Sequence, residues 1–79
     1  MRLDKFLKVS RLIKRRTVAN EACDAGRVLV NEKPAKASLN VKKGDIIEIQ
    51  FGAKAMKVEV LDVQETVKKE AAAELYRYI

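Results

Sequence analysis

The chain has 79 residues, with three Gly, one Pro, one Cys and neither His nor Trp. One small domain over 1–79 is expected, and a chain of this length buries only about 60% of its unfolded surface, which excludes a large ligand cavity or a two-domain catalytic cleft. The formal charge of +6 is unevenly placed: Arg2, Lys5, Lys8, Arg11, Lys14, Arg15 and Arg16 face one acid, Asp4, in the first sixteen residues, while the remaining chain carries ten cations and ten anions.

Leu3, Phe6 and Leu7 recur at helical spacing, so a short amphipathic helix is predicted over 3–9, with Leu12 and Ile13 filling the corner behind it. Thr17 has the chemistry of an N-cap. It precedes a second helix, Val18–Ala25, with Val18, Ala19, Ala22 and Cys23 on its apolar face and Gly26 as its left-handed terminator. Cys23 reads as a small core residue.

At Gly26 the period changes. The β-branched run 27–31 predicts a strand, Asn31 to Pro34 a turn, and Pro34 allows at most a short edge strand after it. Residues 37–41 read as a connection and Lys43-Gly44-Asp45 as a tight turn. Residues 46–51 form a strand, Gly52-Ala53-Lys54 a hairpin turn, and 56–63 a strand alternating wet and dry. The tail, about 66–79, is predicted helical from the stripe Val67, Ala71, Leu75 and Tyr78, with Glu65 to Lys69 attractive and Glu70 to Glu74 repulsive. The order helix, helix, strands, helix indicates an α+β fold.

Catalysis is not expected. No His is available as base or ligand, Cys23 is on a buried face, and Glu48 and Glu59 sit on a solvated strand face. The glycines are isolated and form no phosphate loop. No cofactor, metal or membrane span is expected. One cysteine forms no disulfide framework, which together with the absence of a leader peptide points to the cytoplasm.

Binding to a polyanion needs cations held at fixed spacing, and these are present. Arg2, Lys5 and Lys8 can rise along one side of the first helix. Lys14, Arg15 and Arg16 lead into the second, where the helix N-terminus adds backbone N–H groups and a positive dipole end, so Arg15, Arg16 and Thr17 form a phosphate seat. Asp4 complements the dipole of its own helix and can orient an arginine. No exposed aromatic platform is evident, which favours recognition of phosphate, sugar and shape over base stacking. The plainer alternative is a solvated basic helix.

The segments Arg2-Leu3-Asp4-Lys5, Arg15-Arg16-Thr17-Val18-Ala19, Ala25-Gly26-Arg27-Val28-Leu29-Val30-Asn31, Ser38, and Val41-Lys42-Lys43-Gly44-Asp45 stand in the order of the alpha-L RNA-binding motif. This is the domain named after small-subunit ribosomal protein S-four, and the resemblance covers about residues 1–60. It implies two helices on a small bent antiparallel sheet, with RNA held by the helices and the adjoining loop. By position, Arg2 and Arg16 match the family's RNA-facing arginines, and Asp4, Lys5 and Thr17 match neighbouring motif positions. Lys8, Arg11, Lys14 and Arg15 are added from charge and spacing.

The opening, Met1 to Thr17, closely resembles the stand-alone members of the family that act in bacterial ribosome quality control, relatives of the fifteen-kilodalton ribosome-associated heat-shock protein. That resemblance implies a non-enzymatic factor on the large ribosomal subunit; a monomer is expected because the sequence shows no large exposed apolar face. It would contact large-subunit rRNA and a blocked peptidyl-tRNA in the P site while a tailing factor adds alanine to the stalled chain. A general structured-RNA or ribosome-assembly binder and a basic protein-interaction module are the alternatives. Where the family often has Asn-Gly after the first strand, this chain has Asn31-Glu32, so a turn of another type is expected there.

Overall fold

The computed structural model describes residues 1–79. Helix α1 (Leu3–Val9) and helix α2 (Arg16–Asp24) precede strands β1 (Val28–Val30), β2 (Lys33–Pro34), β3 (Ile46–Phe51) and β4 (Lys54–Val60). A 3-10 helix (Lys69–Leu75) and strand β5 (Tyr76–Tyr78) close the chain. The strands form one antiparallel sheet in the order β2-β1-β3-β4-β5. The α+β architecture is the one expected, with two N-terminal helices on an antiparallel sheet.

Alternation along the strands sends Val28, Val30, Ile47, Ile49, Val58 and Val60 to one side, where they meet Leu3, Phe6 and Leu7 of α1 and Ala19 and Cys23 of α2. The opposite side is polar. Glu48 pairs with its cross-strand neighbour Lys57 at 3.8 Å and Glu59 with Arg77 at 2.7 Å, so both carboxylates stabilise the sheet surface. Phe51 continues the buried row of β3 past the reach of the helices and is half-exposed.

Helix α2 begins earlier than expected. Arg15 is its N-cap, in extended conformation and with no side-chain cap, and Thr17 lies within the first turn. Starting at Arg16 puts Arg16 and Asn20 four residues apart on one flank, where both reach Asp4. Val18 is turned outward and 45% exposed, leaving Ala19 and Cys23 as the buried face. The C-terminus is as predicted. Gly26 has φ +75°, its N–H bonds to the Cys23 carbonyl at 3.0 Å, and the Arg27 N–H bonds to the Ala22 carbonyl at 2.9 Å, the two hydrogen bonds of a Schellman motif. Burial pushes the Cys23 thiol up to about 11, aided by the negative charges of Asp4 and Asp24; it is a neutral core residue at physiological pH.

The tail departs furthest. A helix is present, but it is 3-10 and runs only over Lys69–Leu75, burying Ala72 and Leu75 three residues apart, the spacing that eclipses in a 3-10 helix. Residues 76–78 form β5, with Val58 opposite Tyr78 and Val60 opposite Tyr76. The alternation Tyr76, Arg77, Tyr78 suits a strand, and the open edge of β4 needs a partner for its backbone. Strand β4 ends at Val60, short of 63, because the Leu61 and Asp62 N–H groups both turn to the Leu75 carbonyl. Glu65 pairs with Lys5 rather than Lys69.

The β1–β2 connection corrects the expectation for Asn31-Glu32. Val30 pairs with Lys33, and both loop residues have positive φ, +52° and +71°, the requirement of a type I′ hairpin turn. Asn31 tolerates this and is used twice more: its Oδ1 accepts from the Ile46 N–H at 3.0 Å and its Nδ2 donates to Asp45 at 3.2 Å. Glu32 has no such compensation. Glu32→Gly is therefore expected to stabilise the fold by about 0.5–1 kcal/mol, the left-handed penalty less the entropy glycine loses. In thermal unfolding this appears as a Tm higher by a few degrees.

Candidate nucleic-acid interface

Residue 4 is the second in α1, yet Asp4 is buried, with 2% of its side chain exposed. A carboxylate in that position must be met by donors. Arg2 approaches with Nε at 3.2 Å from Oδ1 and Nη2 at 3.3 Å from Oδ2. Arg16 approaches with Nε at 3.3 Å from Oδ2 and Nη2 at 3.4 Å from Oδ1. The Asn20 Nδ2 donates at 3.3 Å and the Lys5 backbone N–H at 2.8 Å. Burial pushes the Asp4 carboxyl pKa up, but the donors from Arg16, Arg2 and the Lys5 N–H outweigh it and hold the group below its ordinary 3.8.

The arginines keep free capacity. A guanidinium has five N–H donors; Asp4 takes two from Arg2 and one from Arg16, and the side chains of Arg2 and Arg16 remain 51% and 47% exposed. Fixed in orientation on one side, they present the other to solvent as a forked pair suited to phosphate oxygens. Thr17 and Asn20 line the same cleft. The uncapped N-terminus of α2 adds its first-turn N–H groups there.

The loop after β2 completes this surface. Arg2 forms an isolated bridge with Asn40, and the Leu3 and Asp4 N–H groups bond to the Leu39 and Ala37 carbonyls at 2.8 and 3.2 Å. Residues 37–40 are thereby held against the start of α1. Lys36 and Ser38 line a cleft with Arg2 and Asn20. Lys33, Lys36, Ser38, Asn40 and Lys42 line the groove that continues along the loop. Asp45, the only acid in that groove, has one oxygen on Asn31 and the other on the Lys42 N–H.

Of the nine residues singled out from sequence, Arg2, Asp4, Arg16 and Thr17 converge on one cleft. Lys8, Arg11, Lys14 and Arg15 are exposed and unpaired on α1 and the connection to α2. Arg11 is held in the left-handed region, φ +63°, beyond the end of α1. Lys5 is committed elsewhere, its ammonium on Glu65, whose carboxyl it holds below the usual range. Asn20, Lys36 and Lys42 were not among the expected site residues, although Lys42 stands in the motif segment 41–45. Asn20 sits four residues after Arg16, a spacing that could have flagged it, whereas Lys36 and Lys42 enter only through the path of the loop. Phe51 is an exposed aromatic, against expectation, but it shares its groove with Val18, Ala22 and Ala25, on a different flank of α2 from Arg16 and Asn20.

Asp4→Asn places an amide donor against two guanidiniums and removes their shared anion. At neutral pH it is expected to cost on the order of 2 kcal/mol, the scale of hydrogen bonds to a charged group. Because the folded-state pKa of Asp4 is depressed, its stabilisation is complete above the unfolded value near 3.8 and is lost as pH falls through the folded one. Urea unfolding of the two proteins from pH 7 to 2.5 should give curves that differ at neutral pH and converge at the acid end.

Residues 1–47 match the S4 domain. The chain is 60% identical to an "RQC P-site tRNA stabilizing factor" of Halalkalibacterium halodurans over 96% of this chain and 86% of that one. It is 57% identical to a protein of the same name from Bacillus subtilis over 96% and 88%. Among solved structures, a trimeric structure of Vibrio cholerae heat shock protein 15 superposes with a TM-score of 0.92 at 29% identity, covering all of this chain and 81% of the other. With its motif in register, its fold shared and its sequence this close to proteins of one name, the chain belongs to the S4-domain family.

Proposed function

We propose that the chain is a non-enzymatic RNA-binding factor of ribosome quality control. It holds large-subunit rRNA and a peptidyl-tRNA in the P site of a large ribosomal subunit while a tailing factor extends the stalled chain with alanine. The observation that carries the RNA-binding part is the pair of arginines fixed on a buried carboxylate. Structured RNA offers phosphates at fixed positions, and a guanidinium already oriented by Asp4 loses less freedom on meeting one. The ribosomal setting and the tRNA rest on the relatives named for that role, which are similar along nearly the whole chain. In this reading Lys8, Arg11, Lys14 and Arg15 attract the polyanion at longer range, Thr17 flanks the arginine pair, and Lys5 contributes by fastening the tail.

Arg2→Ala combined with Arg16→Ala is expected to abolish co-sedimentation with large subunits at low salt; because it also strips donors from the buried Asp4, the same pair is tested in an Asp4→Asn background, where no buried charge is left unmet and circular dichroism checks that the fold is in place. Single variants should weaken binding and each reduce the slope of log affinity against log salt by about 1, one phosphate contact apiece. Sedimentation unchanged in the double variant refutes the residue assignment. Subunits carrying peptidyl-tRNA should retain more protein than free subunits; equal retention favours a general rRNA or assembly binder.

A further inference from the structure

The cleft between α2 and residues 36–38 offers different chemistry from the arginine pair beside it. Arg2 and Lys36 supply cations, and Asn20, Asp24 and Ser38 line the same space. Asn20 can face Asp4 only with its NH2, since a carboxylate accepts and does not donate. Its Nδ2 accordingly donates one hydrogen bond to Asp4 at 3.3 Å and its Oδ1 receives no hydrogen bond from the protein. The Ser38 hydroxyl and the Asp24 carboxylate are likewise without any side-chain hydrogen bond or ion pair. Three unused acceptors therefore open on one cleft with cations beside them.

A phosphate alone does not suit this arrangement. It carries only acceptors at neutral pH and would meet the Asp24 charge with repulsion. The fitting ligand carries an anionic group for Arg2 and Lys36 and, within a bond or two, a hydroxyl donor for the acceptors. A ribonucleotide is such a ligand, and the 2′-hydroxyl is the donor that DNA lacks. Resting on the RNA-binding function proposed for the arginine pair, we propose that this cleft is a sugar-recognition subsite in which the one proton of a ribose 2′-hydroxyl is shared between the Asp24 carboxylate and the Asn20 Oδ1, the Ser38 hydroxyl donates to the 2′ oxygen, and Arg2 and Lys36 hold the adjoining phosphate. It makes the interface selective for RNA over DNA without reading any base.

The full chain is titrated against an end-labelled RNA hairpin and against the same hairpin bearing 2′-fluoro in place of 2′-hydroxyl. The fluoro sugar keeps the A-form shape and every base amine but has no O–H donor. The native protein is expected to bind the hydroxyl form about 3–10-fold more tightly, the worth of one net hydrogen bond. In Asp24→Ala and in Ser38→Ala, neither of which touches Asp4, that ratio should shrink towards one. In Asp24→Ala the loss should fall on the hydroxyl form alone, with affinity for the fluoro hairpin held or raised, because a repelling charge has gone. Asn20→Ala should shrink the ratio as well, beside whatever affinity it loses by freeing Asp4.

Equal binding of the two hairpins by the native protein, with binding still dependent on Arg2 and Arg16, overturns the subsite and leaves the RNA-binding reading intact. A native ratio that all three variants preserve places the sugar contact elsewhere and also overturns it. If no RNA hairpin binds at low salt, both the subsite and the reading beneath it fall.

Discussion

A buried carboxylate joins the first helix to the second. Asp4 has almost no contact with water, and a charge so placed persists only if the chain surrounds it with donors. Two arginines, an amide and a backbone N–H do so. Buried ion pairs seldom add much net stability over an apolar filling, because desolvation offsets the attraction. What this one contributes is position. Arg16 and Asn20 must share a flank of α2, which sets where that helix starts. Arg2 must stay beside α1, where its backbone also bridges to Asn40 and draws in the loop carrying Lys36 and Ser38.

The same pairing turns an ordinary cationic segment into a shaped site. Lys8, Arg11, Lys14 and Arg15 are long side chains free in water, and each would lose rotamer freedom on meeting a phosphate. Arg2 and Arg16 have part of that freedom removed in the folded protein. The far side of the sheet carries no comparable field: Glu48 with Lys57 and Glu59 with Arg77 neutralise one another across the strands. Opposite faces of a small molecule thus differ sharply in charge, and a polyanion meets the helices and the loop first.

A domain this small has little interior to spare, and the tail supplies part of it. Leu75 enters the core, β5 covers the outer edge of β4, and Lys5 ties α1 to Glu65 in the connection before the 3-10 helix. One cation of the basic segment is thereby diverted from the surface its neighbours form. The other edge of the sheet is blunted differently, by a two-residue strand ending in Pro34, which offers no further donor to a passing chain.

Local chemistry alone determined the first helix, the Gly26 terminator, β1, β3 and β4 as elements, the burial of Cys23 and the concentration of positive charge. Helical spacing, a residue free of Cβ strain and β-branched alternation act within a few residues and are legible there. The ordered motif pieces carried the arrangement of helices on a sheet, and with it Arg2 and Arg16. Tertiary structure decided the rest. Thr17 looked like a cap, but Asp4 draws Arg16 into the helix ahead of it. Glu32 looked unfit for positive φ, but pairing of β1 with β2 and the anchoring of Asn31 to Ile46 and Asp45 impose it. The tail carried a helical stripe, but the unpaired edge of β4 claims Tyr76 to Tyr78 for the sheet. Lys5 was indistinguishable from its basic neighbours until Glu65, sixty residues away, took it. In each case a partner distant in sequence supplies free energy that no local window contains, and that partner settles which of two locally acceptable states the residue adopts.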